Sequence, residues 1–273
     1  MARHVLRSLL GLRKRAFPPG RVAIVRVHGP IMGAGRTVEW IELLKHLRES
    51  KRVPAVVLDI DSPGGSATAS DDLFLAIERL AAVKPVVAAI RGTGASGAYL
   101  AAMAGRRIVA NPTAIVGSIG VLSVGPHLPR LLDRVGVDVA ETRAGRLKGM
   151  GAPWRIPNDE ERAKEQALID AFYEAFLERV AGGRAIPKER VRELATGEVW
   201  LGREALALGL VDEIGDIERA VEVAAELAGV PAKSAPVRVR RPFFARLVDR
   251  FAMRLASSIA AEVEARLWDR VKY

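Results

Sequence analysis

Two short apolar runs, Ala55-Val56-Val57-Leu58-Asp59-Ile60 and Pro85-Val86-Val87-Ala88-Ala89-Ile90, constrain this chain more than any other feature. Neither run alternates polar with apolar residues. Each therefore predicts a strand buried on both faces, not one with a wet side. An earlier strand is expected at Val22–Val27, and a helix from about Thr68 to Ala82 lies between the two runs. Strand–helix–strand succession with continuous apolar strands predicts an α/β fold in which the sheet is covered on both sides.

Further strands are expected at Arg107–Ala110, Ile115–Val124 and Val137–Glu141. Helices are expected at Thr37–Leu47, with Thr37 as N-cap, and at Leu128–Val135, Asn158–Arg179, Pro187–Leu194, Arg203–Leu208 and Asp216–Ala228. On the longest of these, Leu168, Phe172, Phe176 and Val180 fall along one face. Pro231–Pro236 reads as a linker. Beyond Pro242 the spacing of Phe244, Leu247, Phe251, Leu255, Ile259, Val263 and Leu267 marks an appended amphipathic helix. The expected organisation is a basic N-terminal tail over residues 1–20, a main domain over 21–230, and a linker with its C-terminal amphipathic helix over 231–273.

The net charge of +10 is not spread evenly. Residues 1–16 and 237–273 each carry an excess of five positive charges, and the body between them is neutral. A neutral body argues against nucleic-acid binding; the basic ends suit contact with an anionic membrane surface or simple solubility. The longest uncharged run, Ile108–Pro129, is broken by Pro112, Gly117, Gly120, Gly125 and Pro126, so it does not read as a membrane span. The first residues hold too short an apolar stretch for a secretory signal. The expected location is cytoplasmic, or peripheral at the cytoplasmic membrane. There is no cysteine, which excludes disulfides, thiolate catalysis and cysteine zinc sites. No metal site, P-loop or cofactor is expected.

The second apolar run leads into Gly92-Thr93-Gly94-Ala95-Ser96-Gly97-Ala98-Tyr99, where small residues can start a helix. A serine at such a strand-to-helix corner exposes its hydroxyl beside a free backbone N–H, as nucleophilic serines do. The four histidines are His4, His28, His46 and His127, and none has an orienting acid evident in the sequence. Lysine is the other candidate base. A neutral amine at pH 7 costs roughly 4.6 kcal/mol unless burial disfavours its charge. Lys148, between Leu147 and Met150 in a Gly-rich segment, fits that need better than Lys45, Lys164 or Lys188 on charged helices. Ser118, between Gly117 and Ile119, can orient an amine. The turn Ser62-Pro63-Gly64-Gly65 can supply oxyanion donors together with the N–H of Gly97. Taken singly, each of these segments is equally an ordinary turn or strand end.

Taken in order, they resemble the bacterial signal peptide peptidase A family. The resemblance runs through Asp61-Ser62-Pro63-Gly64-Gly65, Gly94-Ala95-Ser96-Gly97-Ala98-Tyr99, Ala110-Asn111-Pro112-Thr113 and Val116-Gly117-Ser118-Ile119-Gly120-Val121. It continues through Gly145-Arg146-Leu147-Lys148-Gly149-Met150-Gly151-Ala152-Pro153-Trp154-Arg155, Gly197-Glu198-Val199-Trp200-Leu201-Gly202 and Gly209-Leu210-Val211-Asp212-Glu213-Ile214-Gly215. The 52-residue step from Ser96 to Lys148 suits its short, single-repeat members. The resemblance implies a serine peptidase with a Ser-Lys dyad: Ser96 as nucleophile, Lys148 as base, Ser118 positioning the lysine, and Gly64, Gly65 and Gly97 around the oxyanion. It also implies a fold like that of Clp protease and crotonase, with repeated β-β-α turns, and a ring- or dome-shaped homo-oligomer whose sites are shared between protomers. Its implied substrates are hydrophobic or unfolded peptides such as cleaved signal peptides. Two other readings remain at this point: a stomatin-partnered protease of the same fold, and a crotonase-like acyl-CoA enzyme.

Overall fold

The computed structural model describes residues 17–237. The expected amphipathic helix beyond Pro242, and most of the basic N-terminal tail, lie outside the described residues. The core is a sheet in which β1 (Val22–His28), β2 (Val56–Ser62) and β3 (Val86–Ala95) run parallel side by side. β3 then pairs with two strands in succession. Its first half takes β4 (Arg107–Ala110), and its last residues take β5 (Ile115–Gly117). β6 (Val199–Leu201) closes one edge against β5, β7 (Glu213–Ile214) pairs with β4, and β8 (Ser234–Pro236) lies along β1.

The apolar runs are buried on both sides, as their lack of alternation predicts. Val56, Leu58 and Ile60 share one face with Val86, Ala88 and Ile90. Helices α1 (Arg36–Glu49), α2 (Ala67–Ala81), α3 (Gly97–Met103) and the C-terminal half of α5 (Asp159–Arg184) cover that face through Leu44, Leu73, Ile77, Ala101 and Leu177. Each of these fully buried leucine and isoleucine side chains contributes about 1.5–3 kcal/mol. The opposite face, Val57, Val87, Ala89 and Val109, is covered by a later helix, Ile217–Ala228, through Ala220, Val221 and Ala224. That helix starts at Asp216, whose carboxylate accepts from the N–H groups of Glu218 and Arg219. Between them come α4 (Pro129–Val135), α6 (Lys188–Leu194) and α7 (Gly202–Ala207), so Ile217–Ala228 is α8.

Four expectations need correction. Thr37 is not an N-cap: α1 begins one residue earlier, and Thr37 Oγ1 instead accepts from Met32 N–H at 3.0 Å. The strand expected over Ile115–Val124 ends at Gly117, where positive φ at Gly117 and Ser118 turns the chain away. Val137–Glu141 forms no strand, because no described segment offers it a ladder partner. Pro231–Pro236 is not simply a linker. Its last three residues form β8, and Val22 N–H donates to Lys233 O at 2.8 Å. The main body accordingly runs to Val237.

Residues 118–158 form an arm whose only helix is α4. Leu122, Val124 and Ile156 are largely exposed there. α5 carries Phe176 and Val180 into the core, whereas Leu168 and Phe172, on the same expected face, are about two-fifths exposed (42% and 43%). The first half of α5 therefore projects past the sheet. Below it, Tyr99 is fully buried and its hydroxyl donates to Leu210 O at 2.8 Å. Burial pushes that phenol up from its ordinary pKa. Tyr99→Phe strands the Leu210 carbonyl and is expected to cost about 1–2 kcal/mol in urea unfolding. An unchanged midpoint would show that this bond does not seat residue 210.

Candidate active site

Ser96 sits where β3 stops and α3 starts. Its backbone, at φ 53° and ψ −125°, is far from any conformation a serine prefers, a strain of about 1–3 kcal/mol. Three contacts hold it there. Ser96 N–H donates to Gly117 O on β5 at 2.8 Å, Ser96 O accepts from Leu100 N–H at 3.0 Å, and Ser62 pairs with Gly94 across β2 and β3. Between Ile60 and Ser62 the register shifts by two residues, so β3 bulges over Asp61. Asp61 Oδ1 takes the Thr93 N–H at 3.0 Å, and Gly92 leaves room for that carboxylate. The bulge swings the end of β3 from β4 to β5 and delivers Ser96 to the corner, half-exposed.

The glycines expected to form the oxyanion site converge here. A Cβ on Gly64 would lie 2.6 Å from Gly97 N, 2.8 Å from Ala95 O and 3.0 Å from Ser96 Cβ. A Cβ on Gly97 would overlap the buried Ser70 hydroxyl. Gly64 is not itself a donor, however. Its N–H is committed to Ser62 Oγ at 3.2 Å, and its carbonyl accepts from Ile31 N–H. The Gly64 contribution is the absence of a side chain. The N–H groups of Gly65 and Gly97 have no protein acceptor among the described residues, and these are the donors left for an anion. Ser62 and Ser70, both fully buried beneath the turn, escaped sequence reasoning because nothing in their spacing distinguishes them from turn serines.

Ser118 is brought close. It follows Gly117, whose carbonyl holds Ser96, and its own N–H donates to Glu198 O at 2.7 Å. Ser96, Ser118, Gly64, Gly65 and Gly97 therefore form one constellation.

Among the described residues no hydrogen bond or ion pair joins Lys148 to it. Lys148 is exposed, on a turn of the arm, beside a shallow cleft of about 320 Å³ lined by Glu141, Thr142, Arg143 and residues 148–154. The apolar, close-packed setting expected of it is absent in one chain. The described histidines, His28, His46 and His127, offer no substitute. His28 does have an acid partner, which its sequence context hides: Nε2 lies 3.1 Å from Asp59 Oδ2. That same nitrogen also meets Arg91 Nη2 at 3.0 Å, so it is occupied. His46 Nδ1 bonds Glu42 O on α1, and His127 is exposed on the arm. Lys84, whose pKa is lowered by burial, caps α1 through the carbonyls of Leu47 and Ser50. It enters β3 at the end opposite Ser96, about 30 Å away along the strand.

The segment that carries Lys148 is tied to α5. Glu161 has no exposed side-chain area, and Arg155 grips both its oxygens at 2.6 and 2.5 Å. That fork and the Asn158 N–H hold the Glu161 carboxyl down to about 2. The pair's contribution is thus fully present above the ordinary carboxylate pKa and is lost only as pH falls toward 2. Asn158 and Glu161 also form a reciprocal capping box, whose Asn-x-x-Glu signal was readable in the sequence.

The sequence profile described as Peptidase family S49 matches residues 78–231, more than half the chain. The chain belongs to Peptidase family S49. A putative protease of Synechocystis sp. is 39% identical over 77% of this chain and 75% of its own length. The chloroplastic serine protease SPPA of Arabidopsis thaliana is 35% identical over 81% of this chain, which spans 33% of that protein. Among solved structures, a membrane-bound stomatin-specific protease, in a serine-to-alanine mutant, superposes with a TM-score of 0.54 over 82% of this chain and 100% of its own, at 14% identity. The likeness to that structure is one of fold, the α/β fold expected from the Clp protease and crotonase resemblance. The matched residues 78–231 lie wholly within the described part of the chain.

Proposed function

We propose that this S49 chain is an endopeptidase in which Ser96 is the nucleophile and Lys148 of a neighbouring protomer is the general base. One observation carries the reading. A strained serine stands beside unpaired N–H groups with no base bonded to its hydroxyl among the described residues, while Lys148 is exposed on the arm. Docking of the arm onto a second copy would bury Lys148, and desolvation favours the neutral amine that a base must be. The exposed Leu122, Val124 and Ile156 supply apolar area for such a contact, or for hydrophobic peptide substrates in a chamber between protomers.

Ser96 Oγ gives its proton to Lys148 Nζ and attacks the scissile carbonyl. The oxyanion is held by the N–H groups of Gly97 and Gly65. The C–N bond then breaks, the leaving amine takes the proton from Lys148, and an ester remains on Ser96. Water, deprotonated by the same lysine, hydrolyses that ester. Ser118 Oγ orients the amine. Cleaved signal peptides, extended and apolar, are the substrate class that suits this arrangement.

Mixing inactive variants tests the shared site. Ser96→Ala and Lys148→Ala protomers, each inert alone, should regain about a quarter of wild-type activity after co-refolding at equal amounts, as random association in a closed ring requires. Mixtures that stay inert while assembling normally would place both residues of a working site in one chain.

A further inference from the structure

We propose that Arg155 and Glu161 are positioning residues for Lys148, acting through the main chain of Gly149. The inference rests on the reading of Lys148 as the base. The arm has almost no regular structure, yet the residue after the lysine is pinned. Arg155 Nη2 donates to Gly149 O at 2.7 Å while the same guanidinium grips Glu161. Its Nε reaches Glu141 Oε2 at 3.4 Å, and Trp154 Nε1 donates to that carboxylate oxygen at 3.0 Å. Arg143 adds contacts to both acids, at 3.3 Å to Glu141 and 3.7 Å to Glu161. A side chain at 149 would overlap Glu141 Oε1 and come within 2.9 Å of Arg155 Nη2, so the knot presses directly on the Gly149 backbone.

Lys148 itself lies between two tight turns, Lys148 N–H to Gly145 O and Met150 N–H to Leu147 O. A continuous rigid path results. Phe176, Leu177 and Val180 seat α5 in the core. About 22 Å toward its N-terminus the helix presents Glu161. Glu161 fixes Arg155, and Arg155 fixes the carbonyl next to Lys148. A carboxylate with no exposed area is unusual in the first turns of α5, whose neighbouring side chains are largely exposed, and it is retained only when fully paired. Most ion pairs on this molecule are solvated and worth little. This one sets where an amine must arrive, and a displacement of about 1 Å at a reacting group can cost about 100-fold in rate.

The test uses the full-length protein with four variants: Arg155→Lys, Glu161→Gln, Gly149→Ala and Lys148→Ala. Arg155→Lys keeps the charge but loses the fork and one of its acceptors. Its kcat for a chromogenic peptide should fall about 30- to 100-fold, with KM within about threefold. The acidic limb of its kcat/KM profile should move relative to wild type, while thermal midpoint and oligomer size stay close to wild type. Glu161→Gln and Gly149→Ala should fall in the same direction. The thermal midpoint separates misplacement from misfolding: activity that drops only in proportion to the folded, assembled fraction, with an unmoved pH profile, would overturn the proposal. So would an Arg155→Lys enzyme with kcat within twofold of wild type while Lys148→Ala is inert, which leaves the base assignment standing. An active Lys148→Ala enzyme would overturn the base assignment and this proposal with it.

Discussion

Ser96→Ala is expected to lower peptide hydrolysis by about 10⁴-fold or more, since removing the nucleophile removes the acyl-enzyme route altogether. Covalent labelling by a fluorophosphonate should vanish with it. The fold should survive. Ser96 Oγ makes no hydrogen bond among the described residues, and the corner is held by main-chain bonds to Gly117 and Leu100 that alanine keeps. Alanine faces the same positive φ as serine, so thermal stability should change little. Mass spectrometry of the labelled protein is the decisive measurement. A wild-type enzyme labelled elsewhere, or a Ser96→Ala enzyme that still labels and hydrolyses, would remove Ser96 from the mechanism and reopen the acyl-CoA reading, which needs no nucleophilic serine.

Gly64→Ala is expected to be nearly as damaging by another route. Gly64 has φ of +86°, which an alanine adopts at a cost of about 1–2 kcal/mol. Its methyl group would also meet Gly97 N at 2.6 Å and Ala95 O at 2.8 Å. Both are backbone atoms, so no side-chain rotation relieves the overlap, and the Ser96 corner must shift. Loss of one well-placed oxyanion donor costs about 10²–10³-fold in kcat, and displacement of the Gly97 N–H should cost at least as much. Gly33→Ala is the control: nothing lies within 4 Å of its added carbon, and stability should stay within about 0.5 kcal/mol of wild type. Hydrolysis and thermal melting of the two variants side by side decide the matter. A Gly64→Ala enzyme with normal activity would mean that the turn does not shape the oxyanion site.

How far the site was legible follows from which forces were local. Gly94–Ser96–Gly97 could be read as a corner because small residues and a preceding apolar run are local signals. Ser62-Pro63-Gly64-Gly65 could be read as a ligand-approaching turn for the same reason. The division of labour within it could not. That Gly64 spends its N–H on Ser62, leaving Gly65 and Gly97 as donors, depends on the bond Ser62 makes two residues on. The strand reading of Val137–Glu141 failed because its apolar spacing says nothing about whether a neighbour offers a ladder. β8 was missed for the converse reason: three residues after a proline carry no strand signal until β1 runs alongside. His28 looked unpartnered because Asp59, its acid, stands 31 residues away and meets it only across β1 and β2.

The sequence by itself determined the α/β class, the buried strands and the chemical inventory. Continuous apolar runs cannot be left half wet, and a chain without cysteine and with few histidines narrows the choice of nucleophile and base. Tertiary structure alone decided where β3 ends. Gly92–Gly94 reads as a turn, yet it continues the strand, because the bulge over Asp61 hands it from β4 to β5. That exchange strains Ser96 into its corner. Tertiary structure also left Lys148 exposed, with no hydrogen bond or ion pair to the Ser96 corner among the described residues. Distance along a sequence does not measure distance in space, and Arg155 ties the lysine's segment to Glu161 in the exposed first half of α5.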